Sequence, residues 1–222
     1  VILFQNRRGF SPVVECTTCG VSPQCPNCDV SLTYHKFKHE LRCHYCNYQR
    51  AMPNNCDACG SNTLDHKGFG TEQIELELRA LFPDHTIGRM DLDTTRGKHG
   101  YQKIIGAFEA REIDVLVGTQ MLSKGLDFDN VSLVGIINAD SMLNFPDFRA
   151  HERAYQMMVQ VSGRAGRNKK QGNVAIQTFN PYHQILQQVA ATNYTEMYNE
   201  QLQDRWQYKY PPYYRLIKIT LK

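Results

Sequence analysis

Eight cysteines stand within 44 positions of this chain, as four Cys-x-x-Cys pairs: Cys16/Cys19, Cys25/Cys28, Cys43/Cys46 and Cys56/Cys59. Four pairs of thiolates are the donor set of two tetrahedral zinc sites, each with four sulfur ligands. The residues that follow the second cysteine of each pair are Gly20, Asp29, Asn47 and Gly60. These types tolerate the left-handed backbone that a tight turn around a metal demands. The rival reading is a secreted disulfide scaffold, which does not suit a chain whose other 178 residues hold no cysteine and read as a cytosolic α/β protein.

Spacing alone does not settle which pairs share a metal, but it favours nesting. Only five residues lie between Cys19 and Cys25, too few for two opposed knuckles of one site, whereas the fourteen between Cys28 and Cys43 suffice for a hairpin. Cys25, Cys28, Cys43 and Cys46 are then expected as an inner site, and Cys16, Cys19, Cys56 and Cys59 as an outer one. A stretch of about 45 residues cannot build an independent apolar core. The metal must supply most of its folding free energy, on the order of 10 kcal/mol per site, and both zinc ions are expected to be structural. His35, His39, His44 and His66 are alternative ligands, but eight thiolates already complete two sites, so surface histidines are the simpler expectation.

Outside the module, strand-like runs alternate with helical periods. Val1 to Phe4 reads as a buried strand. A helix follows over Thr71 to Phe82 with Ile74, Leu78, Leu81 and Phe82 on one face and Thr71 as N-cap. A strand over Thr86 to Met90 precedes a helix carrying Tyr101, Ile104, Ile105 and Phe108. Strands are expected at Ile113 to Val117, Val131 to Ala139 and Asn173 to Phe179. A helix over Arg149 to Ser162 turns Ala150, Ala154, Met157, Met158 and Val161 inward, the two methionines as core filling. Such βαβ alternation builds a parallel sheet with helices on both faces. The expected division is a lobe at 1–15 and 61–180, a zinc insertion at 16–60, and from 181 to 222, rich in Gln, Asn and Tyr, the start of a further domain. With 41% hydrophobic residues in 222 there is material for such a core. Mean hydropathy is −0.49, and no apolar run approaches the roughly 18 residues of a membrane span. Both ends read as cut from a longer protein.

Two segments are expected at the C-terminal ends of strands, where parallel α/β sheets take ligands. The first is Gly118-Thr119-Gln120-Met121-Leu122-Ser123-Lys124-Gly125-Leu126-Asp127. The second is Gln160-Val161-Ser162-Gly163-Arg164-Ala165-Gly166-Arg167. It sets two guanidiniums three residues apart among glycines, so backbone can approach a phosphate while the planar forks reach its oxygens. An arginine so placed can stabilise charge on a transferring γ-phosphoryl group. Either segment alone reads equally well as an ordinary turn; both together, in this order on one sheet, do not.

These segments, G-T-x-x-x-x-K-G-x-D and Q-x-x-G-R-x-G-R, resemble motifs V and VI of superfamily 2 helicases, found in their second RecA-like motor lobe. The eight-cysteine module after Asn6-Arg7-Arg8-Gly9 resembles a narrower group, the bacterial replication-restart helicases of the primosomal protein N-prime family. The likeness runs through Gly70-Thr71-Glu72 and Pro146-Asp147-Phe148-Arg149-Ala150-His151-Glu152-Arg153 to Tyr210-Pro211-Pro212-Tyr213. Two departures are Asn138 where the family commonly has Asp and Ser162 where it commonly has Ala.

The resemblance implies an ATP-driven motor that unwinds DNA 3′ to 5′ at stalled or broken forks and takes part in primosome assembly. It implies two structural Zn²⁺ here and ATP with Mg²⁺ in the complete protein. Arg164 and Arg167 would face the nucleotide phosphates with Gln160 nearby, Gly125 and Asp127 would line the nucleotide and coupling region, and Thr119 would touch the DNA backbone. The zinc module would contact DNA and partners. Its Tyr34, Lys36, Lys38, Arg42, Tyr45, Tyr48 and Arg50 mix aromatics that stack on bases with cations that track phosphates, although a solvated face with aromatics packed over the knuckles fits the same residues. Expected partners are forked and single-stranded DNA, other primosome proteins and the single-stranded DNA-binding protein. The implied setting is a cytoplasmic, nucleoid-associated monomer. The sequence holds no G-x-x-x-x-G-K-[ST] phosphate loop, so this chain is not expected to hydrolyse ATP alone. A zinc-stabilised binding platform without motor activity and an RNA helicase lobe are the competing readings. The formal charge of +3 and pI of 8.4 make a weak case for nucleic acid. Two four-thiolate zinc centres, each formally −2, bring the charge to −1, so DNA affinity must rest on local arrangement.

Overall fold

The apolar run at the start of the chain becomes the central strand of a parallel sheet. The structure, a computed structural model, describes residues 1–6, 13–35, 39–43, 45–65, 70–91, 94–95, 97, 99–123, 128–166 and 172–217. In chain order the elements are β1 (Ile2–Gln5), β2 (Glu15–Cys16), β3 (Thr33–His35), β4 (Glu40–Arg42), β5 (Gln49–Ala51), β6 (Leu64–Asp65), α1 (Thr71–Leu81), β7 (Ile87–Met90), α2 (Gly100–Glu109), β8 (Val115–Gly118), a 3-10 turn (Gln120–Ser123), β9 (Leu133–Ile137), α3 (Asp140–Leu143), α4 (Ala150–Ser162), β10 (Asn173–Ile176), α5 (Gln184–Ala190) and α6 (Tyr194–Gln207). They divide into two compact units. One comprises Val1–Ser11, Lys67–Met142 and Gln156–Phe179; the other comprises Pro12–His66, Leu143–Tyr155 and Asn180–Lys222.

The first unit is built on the sheet β10-β9-β1-β8-β7, parallel throughout. Ile2 stands between Leu116 and Val134, and Phe4 between Gly118 and Ile136. Ile2, Phe4, Leu116, Val117, Val134 and Ile136 are all buried. Strands buried on both faces carry continuous rather than alternating apolar runs, which is why Ile2-Leu3-Phe4 and Leu116-Val117 have no polar interruption. β7 and β8 lie on one side of β1, β9 and β10 on the other. The winding therefore changes direction between β1 and β9, the place where α/β sheets take ligands.

Two helix expectations need correction. The N-cap of α1 is Gly70, with no side-chain cap, because the Thr71 hydroxyl is committed elsewhere. It donates to Asp91 Oδ2 at 2.7 Å, inside a buried network in which Asp91 Oδ1 accepts the Thr94 N–H at 3.0 Å and Arg89 bridges Glu75 at 3.1 Å and Asp91 at 3.4 Å. The inward face of α1 is Ile74 with half-buried Leu78, while Leu81 (71% exposed) and Phe82 (48%) point outward. The α1 period predicts a longer stripe than the sheet covers. In α4, by contrast, Ala150, Ala154, Met158 and Val161 are buried as the period predicts, with Met157 half-buried. Replacing Thr71 by Val keeps the shape but leaves the buried Asp91 carboxylate one donor short, at a cost of about 1–3 kcal/mol. Amide exchange at Thr94 is expected to speed by roughly tenfold or more in this variant, and an unchanged rate would show that the Thr71 bond is dispensable.

The second unit holds the cysteine module. β3-β4-β5 form an antiparallel sheet and β2 pairs with β6. Val14, Val30, Leu32 and Leu41 cluster with Cys25 and Cys43 as its small apolar core. Residues 181–217 supply two helices that the Gln-, Asn- and Tyr-rich composition conceals. α5 is capped by His183 Nδ1, which accepts the Ile185 N–H at 3.2 Å. α6 is capped by Asn193, whose Oδ1 accepts the Glu196 N–H at 3.2 Å while its amide donates to the Glu196 carboxylate at 2.7 Å. Its buried residues are Met197 and Gln201, too few for a visible apolar stripe.

Candidate metal centres and motor-lobe site

The four cysteine pairs fold into one repeated knuckle. In each, the N–H of the first cysteine donates to the carbonyl five residues on: Cys16 to Val21 (3.0 Å), Cys25 to Val30 (2.9 Å), Cys43 to Tyr48 (2.8 Å) and Cys56 to Ser61 (2.7 Å). The turn closes through a left-handed residue, at φ +74° for Gly20, +45° for Asp29, +61° for Asn47 and +75° for Gly60. The residue types that follow each pair in the sequence are thus explained by backbone geometry.

The knuckles meet two by two in the nested arrangement. Cys16, Cys19, Cys56 and Cys59 form one group and Cys25, Cys28, Cys43 and Cys46 the other, with the sulfurs of each group all within 4.8 Å of one another. Cys16 Sγ lies 3.6 Å from Cys59 Sγ, Cys19 Sγ 3.7 Å from Cys56 Sγ, and Cys25 Sγ 3.5 Å from Cys46 Sγ. A tetrahedron with Zn–S bonds of about 2.3 Å has S···S edges of about 3.8 Å, whereas a disulfide requires about 2.05 Å. All eight thiols are free, and both groups fit a Zn²⁺ with no position left open. Burial, outweighing the Asn27 N–H, pushes the Cys25 thiol up to about 11, and burial raises Cys28 as well. Four thiolates at such spacing require a dication to hold them together. His35 and His39 belong to neither group; His39 instead pairs its Nδ1 with the Tyr34 hydroxyl at 2.8 Å. His44 and His66 lie outside the described residues.

An aromatic cluster backs the inner group; Tyr45 fits the alternative of aromatics packed over the knuckles, while nothing in the sequence pattern points to its partners Phe148 and Tyr210. Tyr45, within the third knuckle, sits edge-on to Phe148 and to Tyr210, and Phe148 and Tyr210 stack at 4.7 Å. The buried Tyr210 hydroxyl donates to the Cys28 carbonyl at 2.7 Å. Arg205 lies 5.3 Å over the Phe148 ring and pairs with Glu152. Of the residues singled out for nucleic acid, half-buried Tyr34 packs on the apolar cluster, Arg42 donates to Asn47 Oδ1 at 3.0 Å, and Arg50 pairs with Asp57 at 2.8 Å. Lys36 and Lys38 lie outside the described residues.

At the C-terminal edge of the parallel sheet, Gln120 Nε2 donates to Asn6 Oδ1 at 3.1 Å, joining the segments after β8 and β1. Thr119, 1% exposed, donates its N–H to the Met90 carbonyl at 3.3 Å. Asn138, at φ +50°, accepts the Ser141 N–H on its Oδ1 at 3.0 Å and so opens α3; Asp has the same acceptor and the same tolerance of this conformation. Gln160 is exposed on the last turns of α4, and half-buried Arg164 follows in the turn, its N–H bonded to the Val161 carbonyl at 3.0 Å. Gly166 donates to the Val131 carbonyl at 3.1 Å with φ +76°. A Cβ on Gly172 would fall 2.2 Å from the Gly166 nitrogen, so the arginine turn is pinched where only glycine fits. Arg167, Gly125 and Asp127 lie outside the described residues.

Comparison with known proteins separates these two parts. Residues 25–50 match the profile of the PriA DNA helicase Cys-rich region domain, and residues 69–169 that of the helicase conserved C-terminal domain. The replication restart protein PriA of Bacillus subtilis is 44% identical over 99% of this chain. Those of Synechocystis and Haemophilus influenzae are 47% and 45% identical over 98% and 96%. The chain belongs to the PriA family. It spans 27%, 27% and 29% of the length of these three relatives. The five-stranded sheet is accordingly a RecA-like lobe of the helicase C-terminal type, carrying a module with two four-cysteine sites. Among the described residues no helix is long and apolar enough to cross a membrane.

Proposed function

We propose that this chain is the second motor lobe, with its zinc module, of an ATP-dependent DNA helicase that restarts replication at stalled or broken forks. The observation that carries the reading is the pinned turn after α4. It presents Gly163 to Gly166, with Arg164 among them, at the end of a helix on a parallel RecA-like sheet, in a chain whose residues 25–50 also match the PriA Cys-rich region. Bound ATP with Mg²⁺ would supply the phosphoryl group whose transfer drives the cycle. Arg164 and Arg167 offer planar forks to its oxygens, Gln160 borders them, and Gly125 and Asp127 line the coupling region. The motif implies that Thr119 touches the DNA backbone, but its side chain is buried, so that contact passes to the segment it anchors.

Division by role then runs as a lobe at 1–15 and 61–180, zinc insertion at 16–60 and the start of a C-terminal domain at 181–222. The zinc module, with Tyr34, Lys36, Lys38 and Arg42, contacts DNA and primosome partners, among them the single-stranded DNA-binding protein. Movement is 3′ to 5′ by a cytoplasmic, nucleoid-associated monomer. The phosphate loop, which this sequence lacks, belongs to a separate lobe. In an unwinding assay the full-length protein is expected to open forks with a 3′ tail in an ATP-dependent way, while this chain alone shows no DNA-stimulated turnover. Turnover by the pure chain would refute the division of labour, and unwinding from 5′ tails alone would refute the polarity.

A further inference from the structure

The two four-cysteine groups have the same donors and unlike surroundings. Cys25, Cys28 and Cys43 of the inner group belong to or pack on the apolar cluster of Val14, Val30, Leu32 and Leu41. In the outer group, hydroxyls meet two of the four sulfurs, those of Cys16 and Cys59. Ser61 Oγ lies 3.2 Å from both Cys16 Sγ and Cys59 Sγ. Thr63 Oγ1 lies 3.0 Å from Ser61 Oγ and 3.6 Å from Cys16 Sγ, and Thr18 Oγ1 lies 2.7 Å from Thr63 Oγ1. Cys59, Thr63 and Thr18 are exposed, so this chain of hydroxyls runs from the metal site to water.

A metal fixes the direction of that chain. A zinc-bound thiolate accepts hydrogen bonds and has no proton to give. Ser61, the hydroxyl nearer the sulfurs at 3.2 Å against 3.6 Å for Thr63, is the better donor to them; its lone pair then accepts from Thr63, and Thr63 accepts from Thr18. Each donation draws charge from the sulfurs and holds them at their spacing. We propose that Ser61, Thr63 and Thr18 are the outer shell of the outer zinc site, and that this polar site exchanges its metal ahead of the inner one. Both groups bury their first and third cysteines, but Cys25 and Cys43 are members of an apolar cluster that release from the inner site must open, whereas Cys16 and Cys59 of the outer site are held by hydroxyls that water can replace. The inference rests on the zinc reading of both groups.

The test is zinc release from the full-length protein to a coloured chelator, after a metal count. Two zinc ions per chain and two release phases of one zinc each are expected. Cys59→Ala should leave only the slow phase. Ser61→Ala should speed the fast phase about tenfold, the low end of the effect of losing an outer-shell partner, and leave the slow phase unchanged. Ser61→Thr, which keeps the hydroxyl, should restore the original rate, and Thr63→Val should give a smaller acceleration than Ser61→Ala. Release of both metals in one phase, or a Ser61→Ala protein with neither phase or both phases altered, overturns the proposal. A count other than two refutes the zinc reading beneath it.

Discussion

Alanine in place of Arg164 in the full-length protein is expected to lower DNA-stimulated ATP turnover by about 10³-fold, the scale of a lost arginine finger, with DNA affinity changed less than about threefold. The turn that presents Arg164 is held by backbone bonds, from Ala165 to the Ser162 carbonyl at 3.0 Å and from Gly166 to the Val131 carbonyl at 3.1 Å. Truncating the side chain leaves both in place, so the variant should fold and the loss should fall on chemistry. Lysine at the same position keeps the charge but not the planar, two-pronged donor, and should recover only a small part of the rate. A binding titration with forked DNA alongside steady-state turnover checks the claim. Equal losses in both would make Arg164 a DNA contact, and a reduced affinity with normal maximal turnover would exclude the phosphate-facing role.

The parts of the fold that were legible in the sequence are those where one residue type answers one local demand. Gly20, Asp29, Asn47 and Gly60 are such a case, since a left-handed φ after each second cysteine selects those types whatever surrounds them. The central strand was legible for a similar reason: burial on both faces leaves no alternative to Ile2-Leu3-Phe4. What escaped was set by partners far away in sequence. Thr71 has the composition of an N-cap, yet its hydroxyl goes to Asp91, twenty residues on. Leu81 and Phe82 continue the apolar period of α1 past the point where anything covers them. The Tyr45, Phe148 and Tyr210 cluster joins positions more than sixty residues apart in each step from one ring to the next, and α6 buries too little to show a period. Of the motor-lobe residues, Arg164 is singled out by its motif alone, while the device that holds its turn, Gly166 against Gly172, required coordinates.

Loss of the inner metal should be the most damaging change to the second unit, and Cys43→Ser is the variant that isolates it. Cys43 is fully buried among Val14, Val30, Leu32 and Leu41. A serine there removes one ligand and places a hydroxyl in an apolar core. A structural zinc contributes on the order of 10 kcal/mol to such a module, more than a core this small supplies by itself. The variant is therefore expected to retain one zinc per chain and to become sensitive to protease across residues 13–65. The outer site should persist but weaken, by an amount that the nesting fixes. Thirty-six residues separate Cys19 from Cys56, and the formed inner site bypasses all but about fourteen of them. Closing the longer loop costs about 0.8 kcal/mol more by the logarithmic rule, which is roughly a fourfold loss of outer-site affinity. Coupling of this kind is reciprocal, so Cys59→Ala should weaken the inner site by the same factor. Competition titrations of both variants with a zinc chelator measure the two shifts. Equal fourfold losses support nested loops, whereas no shift in either would mean that each knuckle pair folds independently of the other.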